Sequence, residues 1–244
     1  GNTVITGNNE SYRWVLTGFD ISCTGNIENL LDYATVTAGN HPTMANYCYS
    51  YMFSGCTSLT QAPALPATTL VESCYRRMFR TCASLIQAPA LPATTLVESC
   101  YYGMFQGCTS LTQAPALPAT TLAWNCYWRM FQGCTSLIQA PALPATTLVE
   151  SCYQSMFQGC TSLKLSSSKT DEYTQEYRIP SSGTGTSVTN ALKDMFTSTG
   201  GTFTGTPEIN TTYYLSSDNM IVHETEIATL NGYVGSMIDA AIGN

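Results

Sequence analysis

The chain has 244 residues, of which 44% are hydrophobic, enough for one elongated domain with a buried core. Only 10% are charged and the net charge is −7, which excludes a basic surface for nucleic acid. The sequence contains no apolar run long enough to cross a bilayer, and no signal peptide. Because few residues are charged and Ser, Thr, Tyr and Gly are abundant, we expect an exported protein, extracellular or at the cell surface.

The N-terminal segment 1–43 is predicted to be a cap. Residues 3–22 alternate weakly between apolar and polar positions around Gly7-Asn8-Asn9, a pattern typical of a β-hairpin. Residues 26–38 align with the following repeats at an offset of 26, which places Ile27 in the slot of Phe53. We interpret them as a degenerate first coil, because an atypical terminal repeat shields the open end of a stack.

Residues 44–163 repeat a unit of 26 residues. A fixed period of this length indicates stacked coils, each of which buries its apolar face against its neighbours. QAPALPATTL occurs four times between copies of a second motif, Met-Phe-x-x-Cys-x-Ser-Leu. That second motif begins five times, at Met52, Met78, Met104, Met130 and Met156.

Each unit is predicted to contain one short helix and one short strand. Thr69 and Glu72 have capping-box spacing, and apolar residues recur every four positions from Leu70 to Cys82, as one face of a helix requires. Glycines such as Gly107 are predicted to end the helix in a left-handed conformation. The strand is expected at 59–64, with Leu59, Ala62 and Ala64 pointing inward, and Pro63 limits its ladder to two or three residues.

The period, the Met-Phe-x-x-Cys-x-Ser-Leu motif and the Thr-Thr-Leu before Cys-Tyr-x-x-Met-Phe resemble the BspA-like leucine-rich repeat proteins of bacterial surfaces. The resemblance covers about half of the chain. It implies an α/β fold, a right-handed leucine-rich-repeat type solenoid with β-rich terminal caps, and a role in adhesion or host interaction. The sequence departs from the ordinary repeat at Ala62, Pro63 and Ala64 and carries no asparagine ladder.

Ten of the eleven cysteines recur in register with the repeat. On a helix, Cys74 and Cys82 would lie about 12 Å apart, too far for a disulfide. We predict free, buried thiols that pack as small hydrophobic groups. Zinc is the competing interpretation, but the chain has two histidines and no CxxC pair, so no metal or cofactor is expected.

Residues 164–215 are predicted to form a C-terminal hairpin and a second degenerate cap repeat. Strands are expected at 177–179 and 213–215, and Met195-Phe196 matches the repeat motif. Residues 216–244 form a predicted tail helix, which either covers the stack or contacts a partner; we favour covering. Its helical spacing is carried by Ile227, Leu230, Val234, Met237, Ile238 and Ala241.

An enzyme is not expected. His41 and His223 lie outside the repeats, and the sequence has no nucleophile elbow, phosphate loop or zinc-protease motif. The pairs Asp171-Glu172 and Glu224/Glu226 are interpreted as solvated loop charges. Cysteines that recur in every unit favour packing over nucleophilic catalysis.

The positions at which near-identical units differ are candidates for binding. Two residues before each Met-Phe pair vary, and Trp124 replaces a Glu of other units. One explanation is relaxed constraint on exposed positions; the other is a display surface, because Trp, Tyr and Arg anchor interfaces. Trp124 and Trp128 are predicted to be neighbours on one helical face. The candidate binding residues are Trp124, Trp128, Arg129, Tyr102, Arg76 and Arg77.

These observations predict a non-enzymatic bacterial surface or secreted repeat protein that binds protein and mediates adhesion to host or neighbouring cells. The alternatives are a glycan-binding module that uses the exposed Trp and Tyr side chains, and a purely structural spacer. The expected partner is a protein or glycan ligand on a cell surface. The sequence leaves the ligand and the oligomeric state open.

Overall fold

The 26-residue units stack on one another, so that the same side chain recurs above itself in successive coils. The computed structural model describes residues 5–217. Within that range the only α-helix is α1, Asn29–Thr37, which is kinked at Asp32 and lies before the repeats. A 3-10 turn spans Glu10–Tyr12. The strands are β1 Ile21–Ser22, β2 Leu59–Gln61, β3 Lys164–Ser166, β4 Tyr173–Arg178, β5 Gly200–Gly201 and β6 Thr212–Ser216.

One side of every coil is a run of consecutive tight turns, which we call the turn face. In the first coil it covers residues 47–56. Alternate amides bond within the coil: the N–H of Met52 donates to the carbonyl of Tyr49 at 3.2 Å. The intervening amides bond to the next coil: the N–H of Phe53 donates to the carbonyl of Met78 at 2.9 Å. The two sets together satisfy the backbone donors of a segment that is neither helix nor strand.

A left-handed residue recurs every four positions on the turn face. In the second coil these residues are Ser73, Arg77 and Thr81, with φ of +54°, +51° and +57°. The glycines predicted to be left-handed have this conformation, including Gly107 at φ +76°, although none of them ends a helix. A chain that turns left-handed at every fourth residue cannot continue as an α-helix.

The predicted α/β fold, a right-handed leucine-rich-repeat type solenoid with one helix and one strand per coil, is therefore wrong. The spacing of four between Leu70, Cys74, Met78 and Cys82 is real, but it arises from pairs of turns. Thr69 and Glu72 cap no helix, since the residues after them form turns. A period of four is close enough to 3.6 that apolar spacing alone does not separate the two conformations.

The other side of the coils carries QAPALPATTL, and its ladder is narrower than predicted. Only β2 forms a strand there, parallel to β1. The later coils are joined by isolated parallel bridges from Gln61 to Gln87, Gln87 to Gln113 and Gln113 to Gln139. Ala64 was expected to point inward but is exposed, whereas Pro63 and Leu65 are buried. The prolines lack an N–H, so the ladder stops at the glutamine.

The core consists of parallel side-chain ladders. Phe53, Phe79, Phe105, Phe131, Phe157 and Phe196 stack with ring centroids 5.5–5.7 Å apart. Tyr49, Tyr75, Tyr101, Tyr127 and Tyr153 form a second stack at 5.6–5.9 Å. Ten of the eleven cysteines are buried, as predicted, and Cys23 is half-buried. Their thiols also bridge coils: Cys108 Sγ donates to the carbonyl of Phe79 at 3.0 Å.

The N-terminal segment covers the first coil without forming the predicted hairpin. Residues 5–26 run beside that coil, with the N–H of Ile5 bonded to the carbonyl of Cys48 and that of Trp14 to Met52. The alignment by 26 also fails, because Ile27 bonds to Ala64 and not at the level of Phe53. Trp14 closes the phenylalanine stack edge-on, 5.7 Å from Phe53.

The C-terminal part closes the other end. The predicted degraded coil at Met195-Phe196 is present, since the N–H of Phe157 donates to the carbonyl of Met195 and the rings of Phe157 and Phe196 stack. The predicted strands lie in β4 and β6, which belong to a four-stranded sheet of order β4-β6-β3-β5. Of the predicted tail helix, residues 216–244, Ser216 lies in β6, and residues 218–244 lie outside the described residues. Within residues 5–217 no helix has the length and apolar character to span a membrane.

Candidate functional site

Two consecutive outward residues per coil lie between the buried Cys-Tyr and Met-Phe pairs of the turn face. In the second coil they are Arg76 and Arg77, flanked by the buried Tyr75 and Met78. The inter-coil hydrogen bonds hold these outward pairs in register, since the N–H of Arg77 donates to the carbonyl of Tyr102 at 2.8 Å. Side chains in the pairs of neighbouring coils can therefore contact one another.

Six of these side chains form what we call the arginine–aromatic row: Tyr51, Arg76, Arg77, Tyr102, Trp128 and Arg129. The Arg77 guanidinium bonds to the hydroxyl of Tyr51 at 3.1 Å and to that of Tyr102 at 2.8 Å. It lies over both rings, 5.7 Å and 4.9 Å from their centroids. The Arg76 guanidinium lies 5.0 Å from the Tyr102 centroid. Guanidinium groups stacked on aromatic faces are attracted to the negative ring face.

The row continues into the next coil through an aromatic pair. Trp128 stacks on Tyr102 with centroids 4.9 Å apart and ring planes at 28°. The Arg129 guanidinium then lies 4.9 Å from the Trp128 ring. The row therefore crosses four coils, from Tyr51 to Arg129.

Gly103 provides the space that the row needs. It occupies the slot of Arg77 and Arg129, with φ of +56°. A Cβ on Gly103 would lie 3.2 Å from Arg77 Cγ, a tight contact. Because Gly103 has no side chain, the Arg77 side chain has room to lie against Tyr102 and donate to its hydroxyl.

No carboxylate of the described chain forms an ion pair with Arg76, Arg77 or Arg129; the pairs that are present involve Arg13, Arg80, His41 and Lys164. Four N–H groups of the row are buried without a partner in residues 5–217: the Nε of Arg76, Arg77 and Arg129, and Trp128 Nε1. Burial lowers the pKa of Arg77, but the hydroxyls of Tyr102 and Tyr51 leave that pKa raised overall, so its charge is fixed. The arginines of the row therefore have no carboxylate within ion-pair distance in residues 5–217.

Five of the six predicted binding residues belong to this row, and Trp124 does not. Trp124 is 49% exposed, and the described chain gives it no ring contact with Trp128. The prediction that the two indoles are neighbours on a helical face is wrong, because residues 124–133 form turns. Tyr51 was missed. It stands in the same variable pair as Arg76-Arg77, so the pattern that selected the others could have selected it too.

Two grooves lie on the QAPALP side, one near each end of the stack. The first has a volume of about 730 Å³ between the prolines of the first two repeats, including Pro63 and Pro89. The second has about 580 Å³ and lies between Pro115, Pro141 and strand β4. About half of the residues in each wall are alanine and proline, and strand β4 adds Gln175, Glu176 and Arg178 to the second groove.

The remaining reactive groups are arranged for packing. Burial raises the pKa of the Cys74 and Cys108 thiols to about 12, so both stay protonated and unreactive near neutral pH. His41 Nδ1 lies 2.8 Å from the carboxylate of Glu28, whose side chain is 1% exposed. Within residues 5–217, no three His, Cys, Asp or Glu side chains are grouped as a metal site would require.

Comparison of the chain with protein-family models, with curated proteins and with solved structures gave no match. The candidate site therefore rests on the geometry of the row.

Proposed function

We propose that this chain is a non-enzymatic, cell-surface or secreted bacterial repeat protein that binds another protein and thereby mediates adhesion to host or neighbouring cells. The observation that carries the proposal is the arginine–aromatic row. Arg, Tyr and Trp are the residues that most often dominate the binding energy of protein interfaces. Here they are held in contact across four coils by a regular backbone network.

The row is better suited to protein than to sugar. Sugars bind on open aromatic faces, but Tyr51 and Tyr102 are only 7% and 6% exposed, because arginines and Trp128 cover them. What the row offers to a partner is guanidinium edges, which bind carboxylates and backbone carbonyls. Held by stacked rings, these side chains lose little conformational entropy on binding.

One observation favours the glycan alternative. Trp124 is half exposed and its indole is free to stack on a sugar ring. A single exposed indole offers one stacking face to a sugar, so we keep this as the second candidate.

The location is supported by composition. Only 10% of the residues are charged, and the Ser- and Thr-rich loops are typical of exported repeat proteins. Surface labelling of intact cells that express the full-length protein would test this part of the proposal directly.

The binding function is tested with the purified chain on two arrays in parallel, one of extracellular-matrix and bacterial surface proteins and one of glycans. The proposal expects saturable binding to at least one protein. It expects that binding to fall at least tenfold in the Trp128→Gln variant, which carries a residue that the stack already accepts as Gln154. Binding to glycans alone would overturn the proposal in favour of the second candidate, and binding to neither would favour a structural spacer.

A further inference from the structure

We propose that the ligand of the arginine–aromatic row is an acidic, extended polypeptide segment, whose carboxylates bind Arg76 and Arg129. The inference rests on the proposed protein-binding function and names the chemistry of the partner. It starts from an imbalance of charge: the chain has a net charge of −7, yet three arginines of the row have no carboxylate partner within residues 5–217.

The arginines are not all equivalent. The Nη atoms of Arg77 already donate to two tyrosine hydroxyls, so Arg77 mainly holds the row together. Arg76 and Arg129 stack on Tyr102 and Trp128, and the described chain gives their Nη atoms no hydrogen-bond acceptor. Both side chains are part-exposed. They are therefore oriented cations whose forks remain open to a carboxylate.

Arg80, in contrast to the arginines of the row, forms an ion pair within the chain. Arg80 also points outward from the second coil, and its Nη1 lies 3.1 Å from Glu10 Oε1 of the N-terminal segment. The chain thus supplies acid to the outward arginine beside the cap. No described carboxylate forms such an ion pair with the row a few residues away.

The spacing along the stack suits an extended chain. Successive coils repeat at 5.7 Å in the phenylalanine ladder beside the row. Equivalent positions two coils apart, such as Arg76 and Trp128, are therefore separated by about 11 Å. Three residues of an extended polyproline II segment span ~9 Å, and in that conformation every third side chain lies on the same side. Such a segment with an acidic residue at every third position would present its carboxylates on one side, towards Arg76 and Arg129.

A sulfated glycan is the competing anionic ligand, and the probes separate the two. Fluorescence anisotropy is measured with a labelled peptide of about twelve residues that has Glu at every third position and Ser elsewhere. Its matched control has Gln in place of Glu, and heparin is used as the glycan probe. The test protein is the Arg76→Gln/Arg129→Gln variant. The control variant is Lys169→Gln/Lys193→Gln, which removes the same charge from exposed sites away from the row.

We expect the Glu peptide to bind at least tenfold more tightly than the Gln peptide. The Arg76→Gln/Arg129→Gln change should remove that advantage, while the lysine control keeps it. Circular dichroism and urea denaturation establish that both variants fold. Equal binding of the two peptides, an unaffected arginine variant, or binding of heparin but not of the Glu peptide would each overturn the inference.

Failure of this inference is distinguishable from failure of the proposed function. The same arginine variant is placed on the protein array. A protein ligand that the variant binds as well as the wild type does would overturn the acidic-segment inference and leave protein binding standing. If the wild type binds no protein on the array, the proposed function itself fails.

Discussion

Substitutions at the left-handed positions of the turn face should change the free energy of unfolding by amounts that the structure predicts. Thr81 has φ of +57° in a slot that four other coils fill with glycine, among them Gly107 and Gly133. A β-branched residue is strained in this region. The Thr81 hydroxyl bonds only to the adjacent carbonyl of Arg80, at 2.7 Å, so little is lost when the side chain is removed.

The expected changes in the free energy of unfolding follow from the strain of the left-handed conformation and from one contact, between a Cβ at residue 107 and Thr81 Cγ2. The left-handed conformation costs an L-residue about 1–2 kcal/mol, and glycine returns roughly 0.5–1 kcal/mol through the entropy of the unfolded chain. Thr81→Gly should therefore raise the free energy of unfolding by about 1 kcal/mol. Gly133→Ala should lower it by about 1 kcal/mol, since its new Cβ would meet only the backbone of Gly107, at 3.9 Å. Gly107→Ala should lower it by about 2 kcal/mol, because its Cβ would also lie 3.1 Å from Thr81 Cγ2.

The assay is urea denaturation of the wild type, the three single variants and the Thr81→Gly/Gly107→Ala double variant. In the double variant the crowding at Thr81 Cγ2 is gone, so the cost of Gly107→Ala should fall to that of Gly133→Ala. This corresponds to a coupling energy of about 1 kcal/mol. Equal costs for the two glycine substitutions in the wild-type background, or a destabilised Thr81→Gly variant, would refute the argument.

Four further results are expected. Deleting one whole unit, residues 78–103, should leave a folded, shorter protein, whereas deleting thirteen residues should abolish cooperative unfolding; identical behaviour of the two would contradict stacking by coil contacts. Burial raises the pKa of Cys108 from 9.0 to about 12. The thiol therefore ionises first in the unfolded chain, and the free energy of unfolding should fall as the pH rises from about 9 towards 12. Urea titrations at each pH should show a shallower decline in the Cys108→Ala variant. His41→Ala should lower the free energy of unfolding by about 1–3 kcal/mol, because the buried Glu28 loses its partner, and a null effect in thermal melts would show that the contact is dispensable. Trp124→Glu should change the free energy of unfolding by no more than about 0.5 kcal/mol, as at other surface sites. Trp128→Gln should lower it by about 1 kcal/mol, because the ring stack on Tyr102 is lost. Equal costs in urea denaturation would place both indoles in the same environment.

The sequence predicted the period and the buried residues well, because both depend on repetition. Cys74, Met78 and Phe79 recur in every unit and are fully buried in the structure. What it did not predict is the backbone between them. Spacing of four is shared by a helix and by paired turns, and the residues at the left-handed slots are misleading: Tyr51, Arg77 and Arg129 are not typical of that conformation. Only the glycines that end four of the turn faces, such as Gly107, indicated the left-handed conformation.

The ends of the stack were harder to predict, for a different reason. Residues 3–22 were predicted to form a hairpin, and residues 26–38 were aligned with the repeat at a constant offset of 26. Residues 5–26 instead lie beside the first coil at a changing offset: Ile5 bonds to Cys48, whereas Cys23 bonds to Gln61. A segment that adds its own 3-10 turn and bulges has no fixed period to detect. Met195-Phe196 was found because it keeps the motif itself, and the phenylalanine ladder extends through it.

The candidate site could be selected from the sequence because the residues that stack the coils and the residues that face outward occupy different positions in each unit. The backbone amides and the buried Cys, Tyr, Met and Phe residues hold one coil on the next in every unit, so the two residues of the outward pair can differ between coils. The pairs are Ser50-Tyr51, Arg76-Arg77, Tyr102-Gly103, Trp128-Arg129 and Gln154-Ser155. Contacts between them could not be predicted, since they depend on the left-handed slot that turns Arg77 towards Tyr102 and on the missing side chain at Gly103. The fifth pair carries neither ring nor charge, which ends the row at Arg129, so the proposed ligand spans the three coils from Arg76 to Arg129.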